Sequence, residues 1–579
     1  MKTKFYTPSL LLLGIVCILI SDRSLFNPAI SMNWDALDSI WPFLRWYGSA
    51  LRQGYFPDFF PNIFSGFPIG AEILVGPYNI FYLFFAYLFP KSVLSLNFIY
   101  LSTEMAVFIV GYAIGRTYQF NSIVNLYLGL ALVASGNIIG HASHFSHIQA
   151  ALGLAGFYLS LRLALVDETH YSFSVALLSI YHLCTAGYIQ DTVFGAQCLA
   201  PYFIWIFYKN PTKRKALIYC CIGALLGLMI SSPAIWHFYS LFKASARFEG
   251  QELTTALRGS MPIYSILNFL WPTWKMQYTE PTMERFHLLF ISTPLIAVAL
   301  YSAIYKKINQ KVTIILIISI TLLIILSLGS NSPLPIRAWL AENFYIYRTG
   351  RYPSAEHRGI ALFLLGLLSA FGFQQLLNRW GNFKYFLMLL VLIDFFIIKN
   401  GLEDMQYSTL RELKNISAPI FKASYNSEEQ YLIDQPRNCT EDGGDNSIAI
   451  QIERNHLAPN NFYWWGYESM VNNRYAMERS KFQNIICGPS RLWNAESLLP
   501  QHYLLKQYTP GYINFTITGD KPDLVKLIWA DVNDPFWQLK INGEKSTLVN
   551  GPANLRQFTA KSGDQVEMNY MGPYSQFWR

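Results

Sequence analysis

Apolar runs alternate with short polar connections along the first four hundred residues, and several runs approach or exceed the roughly 18–20 residues that cross a bilayer as a helix. The opening MKTKFYTPSLLLLGIVCILIS sets lysines before an apolar stretch and shows no clear small-residue cleavage site. It reads as a retained first helix with its N-terminus inside. Residues 22–75 are polar, aromatic and rich in Pro and Gly, and open a long first outer loop spanning 22–93. Within it, 76–90 (GPYNIFYLFFAYLFP) is apolar but short and ends in Pro. It reads as a re-entrant or interfacial helix, and counting it as a span would invert everything downstream. Further spans are expected near 94–115, 122–139, 148–167, 172–188, 193–209, 216–233, 287–304, 312–329, 358–378 and 384–399.

Beyond residue 400 the period changes to two. YINFTITG (512–519), LVKLIWA (524–530), FWQLKING (536–543) and QVEMNYMG (565–572) alternate apolar and polar positions between Asp, Asn and Gly, as antiparallel strands do. The pattern predicts a polytopic α-helical membrane protein with about eleven transmembrane helices and a C-terminal, mostly β, sandwich-like domain. The expected division is 1–400 and 401–579.

Composition agrees: 52% of the 579 residues are hydrophobic and only 14% charged, against about 25% charged in soluble chains. The net charge of +8 is spread in small clusters such as KNPTKRK (209–215) and KKINQK (306–311), with no basic face interleaved with aromatics. Nucleic-acid binding is therefore a poor account of it. Basic connections that stay inside are a better one, and they place the N-terminus inside and the C-terminal domain outside. Of seven cysteines, Cys17, Cys184, Cys198, Cys220 and Cys221 lie in apolar segments. Cys439 and Cys487 lie in the outer domain, as a disulfide or as two buried thiols. No metal-site spacing is visible.

The polar residues at the outer membrane edge are the candidates for chemistry. In MNWDALDSIWPFLRWYG, Asp35 and Asp38 share one face of a helix, with Trp34, Trp41, Phe43 and Trp46 around them as in an interfacial helix. Helix capping is the plain alternative, above all for Asp38. GHASHFSHIQA sets His141, His144 and His147 at three-residue intervals, one imidazole ridge if the helix is continuous. Phosphate or substrate contact, metal binding and a purely structural helix end all remain open there. Gln190 and Asp191 follow in GYIQDT, then Arg247 in SARFEG, then Tyr347, Arg348, Arg351 and Arg358 in ENFYIYRTGRYPSAEHRG. A sugar carried on a lipid phosphate needs cations at the leaving phosphate, a carboxylate at the acceptor hydroxyl and apolar spans for the tail. Asp35 suits the carboxylate and the arginines the phosphate; a divalent cation (Mg or Mn) is compatible with this chemistry and not demanded by it.

On WDALDSIWPF, FPDFFPNIFSGFPIG, ASGNIIGHASHFSH, GYIQDT, SSPAIWHFYSLFKASAR, RYPSAEHRG and the closing DPFWQLKING, the chain resembles the bacterial YfhO-like membrane proteins, within the GT-C class of glycosyltransferases. Asp35 aligns with the family's aspartate and Pro42 with its proline, whereas Trp34 and Ser39 stand where the family has glycine and glutamine. The resemblance implies a GT-C fold in the bacterial cytoplasmic (inner) membrane. It further implies a polyprenyl-phosphate-linked sugar donor, a cell-surface glycan, polymer or lipid acceptor, and a catalytic role for Asp35. A transporter or flippase of lipid-linked sugars and a non-catalytic surface-polymer assembly protein are the alternatives. Internal repeats would mark a transporter, and none is clear in the sequence.

Overall fold

The computed structural model describes residues 8–32, 41–52, 75–90, 92–243, 252–269, 310–350, 352–401, 407–409, 492–509, 511–519, 523–532, 536–551 and 555–572, with isolated positions between them. The chain forms two compact units. One comprises Met1–Ala36, Leu96–Ser232 and Gly250–Leu410; the other comprises Leu37–Ser95, Pro233–Glu249 and Arg411–Arg579.

The helical elements are α1 (Pro8–Ser21), α2 (Trp41–Arg52), α3 (Ile80–Leu88), α4 (Leu94–Thr117), α5 (Ser122–Val133), α6 (Gly136–Gly140), α7 (Phe145–Leu165), α8 (Thr169–Ala186), α9 (Ile189–Lys209), α10 (Arg214–Lys243), α11 (Gln310–Leu328), α12 (Ile336–Asn343), α13 (Pro353–Arg379) and α14 (Lys384–Gly401). Among the described residues, six helical stretches are long and apolar enough to cross a membrane: Leu94–Thr117, Ser122–Gly140, Phe145–Leu165, Pro211–Ser240, Thr313–Asn331 and Pro353–Arg379. The chain is a multi-pass membrane protein. Helices α8, α9 and α14 stand where further spans are expected, and the span expected at 287–304 lies almost wholly outside the described residues.

Small residues set how closely the helices approach. On α10, Gly223 and Gly227 form a GxxxG pair. A Cβ on Gly223 would strike the Phe173 carbonyl, and one on Gly227 the Leu177 carbonyl, so α8 and α10 touch backbone to backbone. Next to this contact, Leu161, Ala164, Ala176, Ala216, Leu217 and Cys220 form one buried cluster.

In the second unit, α3 has only nine residues, about 13 Å of helix, too short to cross a bilayer, as expected for 76–90. It packs against α2. The Arg52 guanidinium donates to the Tyr87 carbonyl at 3.0 and 3.1 Å, satisfying the open C-terminal end of α3. Trp41, Phe43 and Trp46, expected around an interfacial helix, are buried.

The β region follows the alternation closely. The four predicted segments appear as β5 (Tyr512–Ile517), β6 (Val525–Val532), β7 (Trp537–Ile541) and β11 (Gln565–Tyr570). With β3 (Leu492–Asn494), β4 (Tyr503–Thr509), β8 (Glu544–Ser546), β9 (Val549–Asn550) and β10 (Leu555–Ala560), they make a four-stranded sheet, β3-β6-β10-β9, and a five-stranded sheet, β4-β5-β11-β7-β8. Both sheets contribute to one core that contains Phe515, Trp529, Leu539, Phe558 and Val566. Asn542 and Gly543 turn β7 into β8 at positive φ, the backbone that a two-residue hairpin requires. Two short strands lie elsewhere, in the helical unit: β1 (Ile30–Met32) pairs antiparallel with β2 (Tyr407–Thr409).

Gly227→Leu should force α8 and α10 apart and cost about 1–3 kcal/mol, read as a lower melting temperature in detergent. Leu225→Ala, at a position 59% exposed on the same helix, should melt near wild type. Equal melting of all three proteins would exclude the close backbone contact.

Candidate functional site

Within the helical unit, α5–α6, α7, α9, α11 and α13 enclose a cavity of about 640 Å³. Most of its wall is aliphatic or aromatic, including Leu132, Leu154, Ala155, Leu323, Phe363 and Leu367. Lining residues on α13 extend from Ala355 to Phe371, about 24 Å along the helix axis. Three residues of the wall, Trp205, Ile315 and Leu322, are 49%, 58% and 46% exposed. At one end, Tyr118 and Tyr158 line the cavity and pair through their hydroxyls, and the Arg162 guanidinium lies 3.8 Å from the centre of the Tyr118 ring. Burial, first of all, raises the Tyr118 phenol to about 12, so it stays neutral.

The other end is polar. Asp191 lies in the first turn of α9 and Glu356 in the first turn of α13, where the helix dipole favours negative charge. Pro353, at the start of α13, has the backbone angle and the missing N–H that suit a first helical turn. Fully buried Arg337, on α12, donates to Glu356 Oε2 at 3.0 Å and to the Tyr347 carbonyl at 2.8 Å. The Tyr347 hydroxyl donates to Gln197 Oε1 at 3.0 Å. His357 stacks on Phe194, ring centres 4.9 Å apart, and Phe194 lies equally close to Tyr347, whose ring centre is 6.5 Å from that of His357. Its Nδ1 is 3.1 Å from the Pro353 carbonyl. That contact needs a proton on Nδ1, so Nε2 of the neutral ring keeps its lone pair. His357 Nε2 and Asp191 Oδ1 are both buried and make no hydrogen bond among the described residues. Glu356 Oε1, on another lining residue, is likewise buried without a hydrogen bond there. Such open acceptors at the head of an apolar groove suit a ligand with hydroxyl donors on one end and a long hydrocarbon on the other.

Asp191 also reaches behind this wall. Its Oδ2 is 2.7 Å from His147 Nδ1, which fixes the imidazole tautomer and leaves Nε2 on the far side. His147 stacks on His141, with centroids 4.3 Å apart, and lies over the Tyr188 ring at 4.1 Å. The three histidines therefore cluster, but not as one helical ridge. The helix breaks after Gly140, His141 closes α6, and His144 caps α7 across a turn. Burial above all, then the charges of His147, Arg358 and His144, hold His141 well below the usual imidazole value. It is neutral at pH 7.

Of the other residues expected from sequence, Gln190 is buried and donates to the Thr349 carbonyl at 3.4 Å. Arg358 is fully buried and acts on His141 from behind the cavity wall. Arg348 is half-buried and packs near Gly250, away from the cavity lining. Asp35, Asp38, Arg247 and Arg351 lie outside the described residues, as do Cys439 and Cys487. Among the described residues, no group of three His, Cys, Asp or Glu side chains is arranged to hold a metal ion. Sequence reasoning missed Arg337, Glu356, His357 and Phe194. The acid and imidazole stood in plain view in PSAEHRG, a Pro-started helix with an acid in its first turn.

Two outcomes follow. First, unfolded His141 takes up a proton near pH 6.5 while the folded residue does not. The unfolded state then binds more protons, so stability rises with pH in that window and falls on acidification. The melting temperature of wild type should drop between about pH 7.5 and about pH 5.5, and that of His141→Gln should drop less; equal drops would remove His141 as the cause. Second, Arg337→Met strands the Glu356 charge and should cost about 3–5 kcal/mol, whereas Arg337→Met/Glu356→Leu should recover most of it. A double variant no more stable than the single one would contradict the isolation of this pair.

No protein-family model matches the sequence, and no curated protein matches it. Among solved structures, the chain is similar to the arabinofuranosyltransferase AftD from mycobacteria, with 12% identity and a TM-score of 0.40 over 68% of this chain and 26% of that one. The chain spans about a quarter of that protein's length, and a likeness of this degree carries no conclusion about activity.

Proposed function

We propose that this protein is a membrane glycosyltransferase of the GT-C class. It takes a sugar from a polyprenyl-phosphate-type lipid and passes it to a cell-surface glycan, polymer or lipid acceptor on the outer face of the bacterial cytoplasmic membrane. The observation that carries the reading is the cavity. Its apolar length suits a lipid tail, and the open acceptors Asp191 Oδ1 and His357 Nε2 suit sugar hydroxyls.

In this reading Asp35, with Asp38 nearby in sequence, is the acceptor-side carboxylate. It takes the proton of the acceptor hydroxyl as that oxygen attacks the anomeric carbon. The bond from that carbon to the phosphate oxygen breaks, and the lipid phosphate leaves with the electron pair. Arg247 and Arg351 are the arginines that would neutralise it, because Arg348 and Arg358 stand off the cavity lining. His141, His144 and His147 support the polar end through Asp191, and Gln190 and Tyr347 hold the turn beside it. A transporter would need the sugar head to pass through the membrane, and the described cavity has one hydroxyl-binding end, which favours transfer over transport.

The test compares lipid-extracted and polymer glycans from cells that carry wild type, Asp35→Asn or no copy of the protein. Loss of one sugar decoration with build-up of its lipid-linked donor is expected for the last two, with Asp35→Asn expressed and melting as wild type does. Full decoration in Asp35→Asn would end the catalytic assignment. Unchanged glycans in the strain without the protein would end the transferase reading itself. Ala155→Trp, which narrows the groove away from its polar end, should raise the KM for the donor with a smaller change in kcat.

A further inference from the structure

A second buried charge cluster lies in the same helical unit. Lys399, near the end of α14, places Nζ 2.8 Å from Asp22 Oδ1 and 2.8 Å from Glu104 Oε1. All three side chains are 1% exposed or less. Ser21 Oγ donates to Asp22 Oδ2 at 2.8 Å, and the Asp22 and Glu104 carboxyl groups also face each other directly. Tyr100, on α4 with Glu104, stands with its ring centre 5.9 Å from Nζ and is the other titratable side chain described against the cluster. One ammonium faces two carboxyl groups. Either carboxylate alone can balance the ammonium, and Lys399 ties α1, α4 and α14 together.

The cluster stands at the root of one particular segment. Asp22 follows α1 directly, and the chain then turns to β1. Asn97 Nδ2 holds this turn by donating to the carbonyls of Leu25 at 2.9 Å and Ile30 at 2.8 Å. Beyond Lys399 the chain leaves α14 and reaches β2, which pairs with β1 in the register Ile30↔Thr409, Ser31↔Ser408, Met32↔Tyr407. Both strands of this ladder therefore grow from residues that the cluster joins, and Asp35 comes just after Met32. Resting on the reading of Asp35 as the catalytic carboxylate, we propose that Lys399, held by Asp22 and Glu104, is a positioning residue for the segment that leads into Asp35.

The charge count gives a distinctive test. Asp22→Asn or Glu104→Gln alone leaves one carboxylate against Lys399. Both together leave the ammonium uncompensated. Full-length protein in nanodiscs is compared in these three forms, each also carrying Ile30→Cys/Thr409→Cys. Disulfide crosslinking across the ladder, quantified by mass spectrometry, reports the segment without any need for turnover. Each single variant should crosslink as the parent does and keep kcat within about threefold. The double variant should lose most of the crosslink and at least about tenfold in kcat, with the donor KM little changed. A double variant that behaves as the singles do, or singles that each fail as fully as the double, overturns the proposal. Should the double variant not fold, Lys399→Met in the Glu104→Gln background decides: it leaves one buried carboxylate without its ammonium and should lose most of the crosslink that Glu104→Gln keeps; equal crosslinking overturns the proposal. If crosslinking follows the charge count while Asp35→Asn remains active, the error lies in the role given to Asp35 and not in the cluster.

Discussion

The Arg337–Glu356 ion pair, closed to solvent on both sides, is what the polar end of the cavity depends on. The guanidinium reaches the Tyr347 carbonyl as well as the carboxylate, so one side chain fastens the turn Tyr345–Arg348 to the first turn of α13. With that turn fixed, Tyr347 stacks beside His357 and its hydroxyl meets Gln197 on α9. A pair of this kind adds little net stability over an apolar substitute, because desolvation offsets most of the attraction. Its value is geometric: it permits one arrangement of three elements and makes the alternatives costly.

The same logic recurs at two other buried charged groups in the helical unit. Asp191 is matched by His147, and Lys399 by Asp22 and Glu104. Each match joins residues far apart in sequence, on helices that otherwise meet through apolar or small side chains. Apolar packing between helices in a membrane gains little from excluding solvent, since lipid is as apolar as leucine. Buried polar contacts thus carry a larger share of the specificity here than they would in a water-soluble core.

What could be read from sequence follows from this division of labour. Apolar runs and period-two alternation report element type directly, and they gave the described helices and the strands β5, β6, β7 and β11. Asp191 was legible because a charge at the edge of an apolar run stands out. The cavity was not legible, since Ile315 or Leu322 reads the same whether it faces lipid, a neighbouring helix or a ligand. The histidine ridge was misjudged in form because Gly140 ends a helix that spacing alone extends. Glu104 was a missed signal, a lone acid inside the run LNFIYLSTEMAVF, where an ionisable residue asks for a named partner. Its partner, Lys399, lies nearly three hundred residues away (|i−j| = 295), beyond the reach of any local pattern.

Trp205, Ile315 and Leu322 line the cavity and are themselves substantially exposed. Under the proposed function, a lipid-carried donor that entered past them would come from the bilayer and not from bulk water. Its mole fraction in the leaflet and its lateral diffusion in two dimensions would then set occupancy, with the bilayer as the reservoir.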